Sequence, residues 1–164
     1  MRSSAASPVS ADALTPTLAR VAACVRSSTG RWNRRGVYGC LYTALTARGA
    51  VAEYRRYAAR VGSASGAGAR DLVSIRVNRL GPVLDLTHAA TRARVGVTAS
   101  ALTGDGADDL TTCRAVADWA RAERYQGLLT PSAADVRATN LIIYVDGPAG
   151  NVDLDEGPDR LPIE

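Results

Sequence analysis

Residues 30–53, GRWNRRGVYGCLYTALTARGAVAE, decide how this chain is read. Residues 27–39 are polar and carry three Gly, the composition of a loop. Cys40–Ala44 is apolar and suited to a β-strand. Thr46 stands where a side-chain oxygen caps a helix. In the segment that follows, Ala50, Tyr54, Tyr57 and Val61 fall at i, i+4, i+7 and i+11, a helical stripe. At 100° per residue, Glu53 lies about 60° from the centre of that stripe, at the edge of the buried face, where a carboxylate looks into a cleft. Arg56 and Arg60 lie further round the same side. Arg31, in the loop, precedes Tyr42 by eleven residues, and Tyr42 precedes Glu53 by eleven.

Outward from this stretch the elements are short. Residues 1–15 are rich in Ser, Ala and Pro and read as a flexible N-terminal tail. Residues 18–25 are apolar and fit a strand or a helix. Residues 62–68, GSASGAG, form a loop. Residues 71–78 alternate apolar and polar, as a strand does, and residues 83–86 make another strand after Pro82. Residues 88–95 suit a short helix. Residues 111–125 suit a longer one, with Cys113, Val116, Ala117 and Ala120 on one face. Residues 127–130 and 140–145 read as strands around PSAAD. From Gly147 the chain is rich in Gly, Pro and Asp and reads as a loose end or an edge segment. Without a regular βαβ rhythm, the expected fold class is α+β: a single compact domain over residues 16–164, with a mixed sheet core flanked by helices.

At 164 residues the chain suits one core, and its 46% apolar content rules out a disordered polymer. With no Phe and two Trp, aliphatic side chains fill that core, and Trp119 is expected there. All twenty basic residues are Arg, and the net charge of +4 is spread along the chain. Apart from Tyr54-Arg55-Arg56-Tyr57 there is no cluster of Arg and aromatics, which argues against direct nucleic-acid binding. Cys24, Cys40 and Cys113 form no CxxC pair and His88 is the only His, so no metal site is expected. Sparse cysteines, no apolar run of membrane-spanning length and no leader pattern together point to a cytoplasmic protein away from membranes. There is no GxGxxG and no phosphate-binding P-loop. With His88 outside any motif, nothing activates Ser132 as a hydrolase nucleophile.

Three motifs occur in a telling order. GRWN at 30–33 is followed by Gly36. LYTALTARGAVAE at 41–53 is an LY-led apolar run entering an Ala-rich helix that ends in Glu. GLLTPSA at 127–133 is followed by NLIIY at 140–144. Together they resemble the RES-domain family of NAD-consuming toxins. The resemblance implies a fold similar to ADP-ribosyltransferase toxins. It also implies a two-component toxin–antitoxin system whose helix-turn-helix, Xre-like antitoxin blocks the active site, and it is compatible with a homodimer. NAD is then the substrate. Arg31 forks onto its pyrophosphate, and Tyr42 stacks on or bonds the nicotinamide or its ribose. Glu53 stabilises the positive charge that develops on the sugar when the nicotinamide bond breaks. Trp32 is a stacking surface or a packing anchor, Asn33 completes the turn's binding residues, and Ser132 holds a phosphate or the ribose. An upstream Arg completes the site, with Arg20 the first choice and Arg26 its competitor. The ADP-ribose passes to water or phosphate, depleting NAD, or to a protein side chain. A non-catalytic nucleotide-binding relative is the reading from another class.

Overall fold

A computed structural model describes residues 29–61, 70–146 and 152–163. Arg20, Arg26, residues 1–15, the 18–25 segment and Cys24 lie outside the described residues.

The fold is α+β and holds a mixed sheet, as its composition and element pattern imply. Strand β1 (Cys40–Ala44) leads into helix α1 (Ala47–Val61) and then β2 (Arg70–Arg79) and β3 (Val83–Asp85). Three helices follow: α2 (Ala89–Val95), α3 (Ala99–Thr103) and α4 (Ala107–Ala122). The chain then forms β4 (Gly127–Pro131), β5 (Thr139–Tyr144) and β6 (Asp153–Ile163). The main sheet has the order β1-β5-β4-β3. Its first two pairings are antiparallel, and β3 pairs parallel to β4, so the α2–α4 segment is the crossover that a parallel pair requires. Cys113, Val116, Ala117 and Ala120 are buried along α4, the face the sequence pattern marks, and share a core with Leu84, Leu128 and Ile142.

Helix starts follow local chemistry. The Thr46 hydroxyl accepts the Gly49 N–H at 3.1 Å, and Thr98 caps α3 by accepting from Ala101 N–H. Helix α4 opens with Asp108 and Asp109 against its positive end, and Asp109 reaches back to the Gly106 N–H. Helix α2 ends at Gly96, whose φ of +78° suits a residue without Cβ.

Strands β2 and β6 form a separate antiparallel ribbon. Of the two readings of the C-terminal segment, the edge strand is the one found. Pro158 and Pro162 are tolerated because a two-stranded ribbon has free edges. Two further expectations need correction. Trp119 is 42% exposed and lies against Tyr125 on the surface rather than in the core. The α1 stripe is only partly a packing face, since Tyr57 is 60% exposed and lines an open cleft. Among the described residues no helix is long and apolar enough to cross a membrane.

Candidate active site

A cleft of about 1080 Å³ lies between α1, the β1 and β5 strands, and the β2–β6 ribbon. Arg31, Tyr42 and Glu53 all line it. Their equal spacing in sequence thus corresponds to one place in space.

Glu53 projects from α1 toward the ends of β4 and β5. Its Oε1 accepts a hydrogen bond from Ser132 Oγ at 2.6 Å and another from Asn140 Nδ2 at 2.7 Å. Ser132 in turn accepts from the backbone N–H groups of Ala134 and Asp135, both at 3.1 Å. A hydroxyl has one proton, and here it goes to Glu53, so Ser132 orients the carboxylate and carries no base of its own. Asn140 points its amide nitrogen at Glu53, while its Oδ1 is buried without a partner. An acceptor left dry in this way costs about 1–3 kcal/mol.

Tyr42 and the GRWN turn hold each other. The Tyr42 hydroxyl accepts the Trp32 N–H at 2.8 Å and donates to Asn33 Oδ1 at 2.9 Å. Cys40 Sγ donates to the Trp32 carbonyl at 3.2 Å, a second tie from the same strand. Burial pushes the Tyr42 phenol well above its ordinary pKa, so it remains a neutral donor. Both described thiols, Cys40 and Cys113, are also pushed up by burial and stay protonated. Replacing Tyr42 with Phe leaves the Trp32 N–H and the Asn33 oxygen without this partner. It should destabilise the protein by about 1–3 kcal/mol, read as a shift in the urea midpoint at unchanged slope.

The turn aims Arg31 inward. Its guanidinium donates to the carbonyls of Leu102 (3.2 Å) and Gly104 (2.5 Å) and pairs with Asp105 at 2.8 Å. Only 14% of its side chain is exposed. Asp105 also pairs with Arg56 at 2.5 Å and Arg60 at 3.7 Å. Arg114, on the same cleft, donates to the Gly30 carbonyl.

The expected residues therefore divide. Glu53 and Ser132 meet, with Asn140 as the third member. Arg31 and Tyr42 meet the cleft as parts of a braced turn. Of the two readings of Trp32, the packing anchor is the one seen: the residue is 3% exposed and packs in the core, and its backbone N–H reaches the Tyr42 hydroxyl. Asn33 is fully buried behind Tyr42. Asp105 has no signal in the sequence beyond its Gly-flanked loop, and Asn140 shows only as the polar residue opening NLIIY. Among the described residues no three His, Cys, Asp or Glu side chains gather as metal ligands.

Fold and site together define an α+β protein with a braced carboxylate and an arginine-lined wall facing one cleft. A sequence model of the RES domain matches residues 6–161, and the chain belongs to that family. Its fold is similar to that of the toxin in the M. tuberculosis MbcT–MbcA toxin–antitoxin complex. Sequence identity is 27% and the TM-score 0.62, over 82% of this chain and 74% of that one. No curated protein matches the sequence.

Proposed function

We propose that the protein is a toxin that cleaves NAD at the nicotinamide–ribose bond and thereby depletes the cell of NAD. The observation that carries this reading is Glu53, a carboxylate fixed by Ser132 and Asn140 inside a cleft that Arg31 also lines. Family membership and the likeness to a solved toxin support it. The residues suit the substrate. The exposed arginines of the cleft fit a pyrophosphate.

Bond cleavage sends the bonding pair to the nicotinamide nitrogen, which leaves neutral, and positive charge grows on the sugar carbon. A fixed anion nearby stabilises that charge more than it stabilises the substrate, which is the condition for faster turnover. Water or phosphate then adds to the sugar carbon and loses a proton, giving ADP-ribose or its phosphate ester. In this reading Glu53 takes that proton. Holding the carboxylate by two donors in advance avoids reorganisation at the moment of reaction. Transfer to a protein side chain uses the same bond cleavage with a different acceptor. By similarity to the MbcT–MbcA complex, we extend an antitoxin partner to this chain, of the helix-turn-helix kind that the family resemblance implies.

Induced expression in a bacterium tests the reading through the NAD pool. The pool should fall before growth stops. Growth arrest at a constant NAD level would instead indicate transfer to a protein acceptor.

A further inference from the structure

Arg31 is the residue expected to fork onto pyrophosphate, yet both of its terminal nitrogens are engaged, Nη1 with two carbonyls and Nη2 with the Asp105 carboxylate, and it is mostly buried. The arginines that share Asp105 with it are differently placed. Arg56 and Arg60 stand one and two turns beyond Glu53 on α1, a rise of about 4.5 and 10.5 Å along the axis. Their side chains are 34% and 59% exposed, and both line the cleft. Three guanidiniums thus gather on one carboxylate, itself 40% exposed, which leaves the cluster with two positive charges uncompensated by Asp105.

We propose that Arg56 and Arg60 form the phosphate subsite of the cleft and that Asp105 is its resident counter-ion, displaced from them when a diphosphate enters. This rests on the NAD-cleaving reading only for the identity of the diphosphate. The physical logic is ion exchange. A lone carboxylate holds the two forks extended along the helix face and limits their mutual repulsion. A diphosphate offers more charge and more acceptor oxygens than one carboxylate does, in the planar-fork geometry that Arg matches. Arg31, anchored by carbonyls as well, stays with Asp105 and fixes where the displaced carboxylate goes. Arg31 is then a positioning residue, and the substrate is oriented by the helix that also carries Glu53. Phosphate binding at Arg56 and Arg60 therefore sets the ribose beside the carboxylate.

The test is calorimetric titration of the full-length protein with inorganic pyrophosphate and, separately, with ADP-ribose. Removing one fork, by Arg60→Gln, should weaken both by about tenfold, the effect of losing a charge-assisted hydrogen bond at a partly exposed site. Arg56→Gln with Arg60→Gln should weaken them by about a hundredfold. Asp105→Asn keeps an acceptor for Arg31 and removes the competing charge, so it should bind pyrophosphate several-fold more tightly than the wild type. Wild-type binding should weaken steadily with added salt. In nicotinamide release the Arg variants should raise KM more than they lower kcat. Thermal melts check that each variant is folded, and the exposed Arg60 is the safest of the three positions. Wild-type affinity in the double Arg variant, or weaker pyrophosphate binding in Asp105→Asn, overturns the assignment. Wild-type protein that shows all of these binding effects but releases no nicotinamide supports the phosphate subsite and removes the NAD-cleaving reading.

Discussion

Replacing Glu53 by Gln lowers the rate of nicotinamide release at least about a hundredfold, while NAD binding and thermal stability stay close to wild type. The size follows from what is lost. Taking away a preorganised electrostatic partner of the transition state costs about 2.7–4 kcal/mol, or 10²–10³ in rate. The selectivity follows from what is kept. Gln retains an acceptor oxygen for Ser132 Oγ and Asn140 Nδ2, so the packing around α1 has no reason to change. Single-turnover assays with NAD separate the chemical step from binding. A variant with the wild-type rate would mean that the carboxylate charge plays no part. A variant that melts far below the wild type would mean that Glu53 is mainly a structural anchor.

Replacing Gly30 by Ala costs about 3 kcal/mol or more and disables the site at the same time. A Cβ at this position would overlap the Tyr42 hydroxyl and sit 2.7 Å from Asn33 Oδ1 and 2.8 Å from Tyr42 Cζ. Neither neighbour can give way cheaply, because each is half of the hydrogen bond that braces the turn. Overpacking costs about 1–3 kcal/mol, and the broken Trp32–Tyr42–Asn33 bonds add about 1–3 kcal/mol more. For a domain of this length that lowers the melting temperature by on the order of 10 °C. Arg31 follows Gly30 directly, so its contacts with Leu102, Gly104 and Asp105 shift too. Adding Tyr42→Phe removes the atom under the worst overlap, so the double variant should be destabilised by less than the sum of the two. Strict additivity would show that Gly30 and Tyr42 are not in contact in solution.

These effects bear on how much of the molecule was open to reading from residues alone. Strand β1 was legible because Cys40–Ala44 is an apolar run between a Gly-rich loop and a capping Thr. The buried face of α4 was legible because Cys113, Val116, Ala117 and Ala120 repeat with the helical period. Glu53 lines the cleft, but so do Ala50, Tyr54 and Tyr57 of the α1 stripe, so the offset from that stripe does not set it apart. The rest depends on partners distant in sequence. Asp105 meets Arg31, Arg56 and Arg60 across 74, 49 and 45 residues respectively, and no local pattern marks such a meeting. Strand β6 hides behind Gly157, Pro158 and Pro162, which break the alternation a strand normally shows, and its partner β2 lies far upstream. Trp32 is buried and Trp119 is exposed because burial of a large ring is decided by what packs around it. In the first, the turn folds the ring into the core. In the second, the helix turns it outward. Arg56 and Arg60, on the same side of α1 as Glu53, pair with Asp105, while Glu53 goes to Ser132 and Asn140.

The central claim is that this cleft breaks the nicotinamide–ribose bond. The most direct measurement incubates the purified protein, free of any bound partner, with NAD and quantifies the products by chromatography, with and without phosphate. The account predicts one nicotinamide for each NAD consumed, matched by ADP-ribose in plain buffer or by its phosphate ester when phosphate is the acceptor. Intact NAD after prolonged incubation with folded protein that binds it would contradict the account.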